Sequence, residues 1–567
     1  MPRGAPWRIL SHHAAPVAIT PPSKDTATGP DLNALSWILA ALPVLFLVVA
    51  IMRLRWSAPR AGGLSWLLAV HIAMLAFGAS GTIVATASAK GLSLTLFVLT
   101  ILWASVFMFN LVDRLKGIEA IGRTTARLAS DPLVQALLIG WGFSSFIQGV
   151  TGFGVPVAVA APLLIMVGFS PLRAAAISLV GHGWAVTFGS MGSSFYTIQL
   201  VTKFPEQVIG PHMALLFAPV TIASGIMVAH IQGGWHGVRR SLPLVLVVGT
   251  AMSFAMWLMA FLGAPQIASS VPGIVALIGV GFLARTPLLI KPSVTGDASG
   301  IGPEPGAATQ RAAPVTAKPM TAMLGFLPYI VLIALSIVAQ LGPVKSAVSG
   351  LAWGLDYPET VTADGFVAAA EQGYARIRLL NHPAPLIIIS VAIAMLVYRL
   401  GGRWKRGVAW ESLRLTYSQS VTTTLGVATM VMMAVVMADT GMTTLLAQGI
   451  ARASGPVFPL VSPFIGLLGS FMTGSNTNSN VMFGILQVET ARELGIGAVT
   501  IASVQSIGGS VGSSIAPAKV LVAATFVGMS GKESEIWRVI TRYVLLLTLI
   551  AGLEALLLIC LLPAWTR

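Results

Sequence analysis

The sequence predicts an all-α polytopic membrane protein, with about 12 transmembrane helices and two re-entrant hairpins in an inverted repeat. Three observations predict it. The 567 residues are 55% hydrophobic and only 9% charged, with a mean hydropathy of +0.85, whereas soluble domains carry about 25% charged residues. Apolar windows of bilayer length, about 20 helical residues, recur along the chain. The clearest are 34–52, 91–112, 241–263, 321–341 and 543–563. Two further apolar segments, 132–168 and 456–490, are interrupted near their middles by glycine, proline or polar residues and fail as single spans.

In chain order, residues 1–30 hold several prolines and no apolar core of signal-peptide length, and read as a flexible extension or an over-early start. Targeting then falls to the first span. Arg53, Arg55 and Arg60 follow that span, which puts their loop inside and the N-terminus outside. Basic stretches at 113–128, 238–240, 285–320 and 399–407 fit the same alternation, with spans expected at 64–88 and 91–112 before the first of them. The loop 342–381, with Asp356, Glu359, Asp364 and Glu371, lands outside, as does the C-terminus. Two membrane repeats are expected, 31–290 and 321–567, joined by a cytoplasmic linker at 291–320. On this topology 132–168 starts and ends inside, whereas 456–490 starts and ends outside. Hairpins opening to opposite faces satisfy both facts, as in an inverted repeat.

Short words support a duplication. "GSMGSS" at 189–194 recurs as "GSVGSS" at 509–514, and "SFIQG" at 145–149 resembles "SFMTG" at 470–474, with offsets of 320 and 325 residues.

The net charge of +15 is scattered over short loops rather than massed on one face, so it speaks for positive-inside bias and against nucleic acid. A lone Cys560 in the last span excludes a disulfide framework and a cysteine metal site. No HExxH, no cysteine cluster and no His–Asp pair points to an enzyme. No cofactor or metal is expected.

The hairpin interruptions carry the functional reading. "TGSNTNSN" at 473–480 places hydroxyls and amides inside an apolar run, and "QGVTGFGVP" at 148–156 is its counterpart in the other half. Unwound backbone in a bilayer is tolerated only where protein or a cavity covers it. The freed N–H groups and half-helix N-termini then become binding groups, favouring anions. The alternative is that small residues here only allow close helix packing.

"GVTGFGVPVAVAAPLLIMVGFSPLRAAAISLV", "FGSMG", "LLGSFMTGSNTNSNVMFGILQ" and "GGSVGSSIAPAKVLVA" together resemble the lactate permease family of bacterial 2-hydroxycarboxylate transporters, over residues 35–565. The resemblance implies proton-coupled secondary transport of lactate, glycolate or a related small carboxylate across the cell inner membrane. It also implies two inverted repeats with one hairpin each. The substrate-contacting candidates are Gln148, Gly149, Thr151, Gly152, Phe153 and Gly154 in the first hairpin and Thr473, Gly474, Ser475, Asn476, Thr477 and Asn478 in the second. Ser190, Ser510, Ser513, Ser514 and Lys519 join them from the repeated words and the stretch after them.

This chain departs from the family where acids usually stand, having Gln148 and Asn476 instead. An amide cannot carry a proton. "GHGWAVTFG" introduces His182 and Trp184, and "SSIAPAK" sets Lys519 late in the second motif. Lys519 reads either as a point charge for a carboxylate or as a snorkelling interfacial residue. His182 reads as a coupling candidate or as a packed neutral side chain. Glu554 and His71 lie within spans, and Asp439, Glu489 and Arg492 near their outer ends, where Arg492 could steer anions. Other anions, coupling by H⁺ or Na⁺, uncoupled transport, a channel, and monomer or homodimer all stay open.

Overall fold

The structure, a computed structural model, describes residues 33–152, 154–283, 285–286, 319–348, 350–378 and 382–562. The extension expected at 1–30, Phe153 and all but the last two residues of the 291–320 linker lie outside the described residues.

A bilayer offers no water to backbone N–H and C=O groups, so helices dominate. α1 (Ala34–Met52) starts on a capping box in which Asn33 accepts from Ser36 N. α2 (Ala58–Ala76) and the 34-residue α3 (Gly81–Arg114) take the place of the two spans expected at 64–88 and 91–112. A short α4 (Gly117–Ala126) leads into the first hairpin. Its first arm is α5 (Pro132–Gln135), a π-wound stretch (Ala136–Phe143) and α6 (Ser144–Val150); its second arm is α7 (Val155–Met166). A broken helix follows, α8 (Pro171–Gly181) and α9 (Gly189–Thr202), then α10 (Glu206–Phe261) and α11 (Ser270–Leu283).

The second half opens with α12 (Ala322–Ala339) and α13 (Gly342–Val348). After a β-insertion come α14 (Pro383–Leu400), α15 (Val408–Asp439) and α16 (Met442–Ser454). The second hairpin is α17 (Phe458–Thr473) and α18 (Asn476–Glu493). A second broken helix, α19 (Ala498–Gly512) and α20 (Pro517–Phe526), precedes α21 (Glu533–Leu561). The sequence long helix, short helix, hairpin, broken helix, long helix thus occurs twice, once from α3 and once from α15.

Among the described residues nine helices are long and apolar enough to span, or ten if the bent pair Ala498–Ile515 and Pro517–Phe526 is one span. That is fewer than the dozen expected. Part of the difference is α10, 56 residues counted once although Gly233 and Gly234 leave helical geometry in its middle. The expected outer loop 342–381 also differs from an all-α reading. It holds β1 (Ala352–Tyr357), β2 (Thr360–Val361), β3 (Val367–Ala368) and β4 (Glu371–Arg378), with β1 pairing β4 and β2 pairing β3, both antiparallel. Polar alternation in a segment read as a loop gave no sign of it.

Burial orders the bundle. Only 28% of the α1 window is covered, leaving Leu35, Ile38 and Leu45 exposed toward lipid, whereas Pro132–Val150 is 100% buried. The first hairpin arm therefore lies inside the protein. α15 packs along α3 and α2, and α17 along α19 and α21. At the α17–α19 contact a Cβ on Gly508 would collide with the Pro463 backbone, so only glycine lets the two helices approach this closely. One ion pair is almost fully enclosed: Lys90 on α3 reaches Asp439 at the end of α15 at 2.9 Å, with side-chain exposures of 1% and 15%.

Candidate functional site

Each hairpin breaks where its glycines require it. In the first, Gly152 (φ 77°) and Gly154 (φ 82°) are left-handed, a region that costs an L-residue about 1–2 kcal/mol. Thr151 caps α6 and its carbonyl accepts from Ser190 Oγ at 2.9 Å. In the second, Gly474 (φ 73°) closes α17 and Ser475 caps α18, its Oγ accepting from Asn478 N at 3.4 Å. The break is narrower than the sequence reading held. "TGSNTNSN" is not an unwound octet: from Asn476 onward its residues form the first turns of α18.

Between α8 and α9 the chain unwinds over 182–192, and Ser190, Met191 and Gly192 are three successive left-handed residues (φ 49°, 54° and 77°). Two of them are not glycine. Such conformations cost about 1–3 kcal/mol each and persist only where the surroundings impose them. Here the surroundings are hydrogen bonds from the other half. Asn476 Nδ2 donates to Thr187 Oγ1 at 2.8 Å, and Thr187 Oγ1 donates to the Ser506 carbonyl at 3.0 Å. Asn480 Nδ2 donates to Ser194 O at 3.0 Å and to Ser506 Oγ at 2.9 Å, while Thr477 and Ser194 share a hydroxyl bond of 2.9 Å. Ser510 Oγ donates to Gly183 O at 2.7 Å and accepts from Val186 N and Thr187 N.

The two tips are therefore joined through the unwound segment: Asn476 holds Thr187, and three residues on, Ser190 holds Thr151. Both tips also flank α20. A Cβ on Gly474 would lie 3.9 Å from Ala518, and one on Gly154 3.8 Å from Val522, one helical turn further along. The N-termini of α7, α18 and α20 thus gather around one place.

Lys519 stands there, in the first turn of α20. It is 5% exposed, its Nζ donates to Ser513 Oγ at 2.9 Å, and among the described residues it has no carboxylate partner. Burial at this level is not the snorkelling geometry. Ser513 Oγ in turn donates to Ser510 O, and Ser514 Oγ is buried without a partner. Of the 17 buried polar side-chain atoms without partners among the described residues, eight belong to the tips, the broken helices and their flanks: Ser514 Oγ, Gln148 Oε1, His182 Nε2, Trp184 Nε1, Ser470 Oγ, Asn476 Oδ1, Asn478 Oδ1 and Asn480 Oδ1. An unsatisfied buried group costs about 1–3 kcal/mol, so this concentration marks a place built to meet something polar. His182 is wholly buried; its Nδ1 donates to Ser178 O at 2.6 Å, which leaves Nε2 open.

Not every candidate faces this place. Gly149 lies against the Ser270 backbone, where a Cβ would collide, and Thr473 Oγ1 turns back to Gly469 O. Phe153 lies outside the described residues. Glu554 sits on α21, with one carboxyl oxygen buried and unpartnered. Arg492 is tied to Glu489 at 2.5 Å. Sequence reasoning missed Thr187, Ser194, Asn480 and Ser506, although Asn480 lies one turn after Asn476 and was findable from that spacing. Among the described residues no group of three His, Cys, Asp or Glu side chains could hold a metal ion.

A family profile described as L-lactate permease matches residues 36–562. The chain belongs to the L-lactate permease family. Among its relatives, the glycolate permease GlcA of Escherichia coli (strain K12) is 27% identical over 542 residues, covering 92% of this chain and 95% of its own. The L-lactate permease of Bacillus subtilis (strain 168) is 27% identical over 548 residues, covering 91% and 94%. The L-lactate permease of E. coli K12 is 26% identical over 530 residues, covering 91% and 95%. These family members are named as permeases, not enzymes. Of solved structures, the Alcanivorax borkumensis YdaH transporter aligns with a TM-score of 0.42 and 13% identity, covering 85% of this chain and 88% of that one.

Proposed function

We propose that this member of the L-lactate permease family carries small 2-hydroxy monocarboxylates, of the lactate and glycolate type, across the cell inner membrane. The relatives named for L-lactate and glycolate support the solute class. The observation that carries the site is Lys519, a buried cation with no carboxylate partner among the described residues, beside the N-termini of α18 and α20. A buried lone ammonium is costly unless an anion meets it, and helix N-termini add positive potential in the same place. A carboxylate fits that environment, and the hydroxyls and amides around Thr187, Asn476 and Ser514 suit a 2-hydroxyl group.

The two halves read as inverted repeats crossing at this site, a reading supported by the recurring order of elements from α3 and α15. Broken helices at a repeat interface are a common construction for transporter sites. Coupling to a cation, a proton by family resemblance, has no carboxylate at 148 or 476 to serve it. His182, buried with Nε2 open, is the nearest titratable side chain in the unwound segment. Uptake of labelled L-lactate into proteoliposomes, with competition by a panel of carboxylates and with imposed H⁺ or Na⁺ gradients, tests both parts. If no 2-hydroxy acid competes, the solute class is wrong; if neither gradient changes accumulation, the coupling is.

A further inference from the structure

A cavity lies at the other end of α9 from the unwound segment. Its volume is about 340 Å³, and it is roofed by β4 and floored by Tyr196 and Phe97, whose rings are 5.7 Å apart. That volume is large enough for a three-carbon acid together with several waters, each taking about 30 Å³. Two guanidinium side chains, Arg376 and Arg378, line it from the roof, and Glu206 lines it from the start of α10. Among the described residues neither arginine has an ion-pair partner, and both are exposed.

The roof is built to hold them. β4 carries one residue more than β1 between the pairs Trp353↔Ile377 and Leu355↔Tyr374, which makes a bulge just before Arg376. Ala375 in that bulge is left-handed (φ 48°), a conformation no plain hairpin needs. Bulges re-aim side chains. The insertion is anchored at several points. Glu371 pairs with Lys203 at the end of α9, Asp356 accepts from Gly373 N at 2.6 Å, and Tyr357 shares a 2.7 Å hydroxyl bond with Ser93 on α3.

The floor links this cavity to the site at the tips. The Tyr196 ring lies against Gly192, the last left-handed residue of the unwound segment, where a Cβ would come within 3.2 Å of it, and its hydroxyl donates to Gln266 at 3.0 Å. The Tyr196 ring therefore faces the cavity on one side and touches the end of the unwound segment on the other.

We propose that this cavity is a vestibule in which Arg376 and Arg378 capture the carboxylate before it passes the Tyr196–Phe97 layer. The proposal rests on the reading that the solute is a carboxylate. Paired guanidiniums in a concave mouth raise the local anion concentration and the rate of encounter, and salt screens the effect.

The test uses cells lacking their own lactate uptake and expressing the full chain, with membrane abundance measured for each variant. In Arg376→Gln/Arg378→Gln, KM for L-lactate rises about 3- to 10-fold while the maximal rate stays within about twofold of the parent. The dependence of KM on ionic strength flattens in the same variant. Arg376→Lys/Arg378→Lys keeps KM and salt response near the parent's, since the charge remains. Unchanged KM and salt response in the Gln variant overturn the vestibule, and so does an equal loss of maximal rate in the Gln and Lys variants, which marks a structural role. A parent protein that carries a different anion overturns the solute reading alone, and the vestibule is then judged by the same KM ratio for that anion. A parent that carries only a neutral or cationic solute overturns both.

Discussion

Asn476 Nδ2 donates to Thr187 Oγ1 across 2.8 Å, and this bond joins the second hairpin to the unwound segment of the first half. The partners are 289 residues apart in sequence. Because Thr187 also bonds Ser506, and Ser190 bonds the first tip, the two tips are connected through main chain held in left-handed geometry at Ser190.

Asn476→Ala removes that donor and leaves Thr187 with its Ser506 contact. A net hydrogen bond is worth about 1 kcal/mol, so solute affinity should fall about fivefold. Membrane abundance should hardly change. KM from uptake, set against the amount of folded protein in the membrane, checks both; a normal KM would mean that the tip is a packing element.

Gly152→Ala combines two penalties, a left-handed φ of 77° and a new Cβ that overlaps Ser190 Oγ. The conformational part alone is about 1–2 kcal/mol. The variant should insert but lose most transport, with a lowered melting temperature in detergent. Transport at the parent's rate would show that the tip has room the structure does not give it.

How far these features could be read beforehand follows from residue type. Hydropathy reads the spans because the bilayer imposes one requirement on every one of them. The two helix breaks were readable for a related reason: polar residues at 148–156 and 473–480 conflict with their apolar flanks. The extent of unwinding was not readable. Asn, Ser and Thr are poor helix formers, yet Asn476, Asn478 and Asn480 are helical because Ser475 caps the turn through Asn478 N and the Asn476 and Asn480 amides donate to the other half. Ser190 and Met191 carry no sequence mark of left-handed geometry, and the β-insertion at 352–378 lies in a segment whose scattered acids read as an outer loop.

His182→Gln separates exchange from net transport. With Nδ1 bound to Ser178 O, Nε2 keeps the free lone pair that the coupling reading of His182 requires, and glutamine removes the imidazole that carries it. Counterflow of labelled against unlabelled L-lactate should persist, while accumulation driven by an imposed pH gradient should be lost. An undiminished response to the gradient would assign His182 to packing and move coupling elsewhere.

Lys519→Met should be the most damaging change at the site. A hydrogen bond to a charged group contributes about 1.5–3 kcal/mol, so KM should rise about 10- to 100-fold. Lys519→Arg keeps the charge and should retain part of the affinity, though its planar fork does not match the Ser513 contact. Equal uptake by the Met variant and the parent would remove the anion role and with it the central support for a carboxylate site.

Lys90 and Asp439 allow a contrasting prediction, because their 2.9 Å pair clamps α3 to α15 away from the tips. Removing one partner strands the other in a poorly solvated place, at a cost of up to about 3 kcal/mol. Lys90→Met should therefore lower thermal stability in detergent, while KM for L-lactate in the surviving protein stays near the parent's. Lys90→Met combined with Asp439→Leu should recover much of the stability, since replacing both ends of a buried pair is often close to neutral. If the double variant is folded but transports nothing, the pair belongs to the transport pathway and the clamp reading fails.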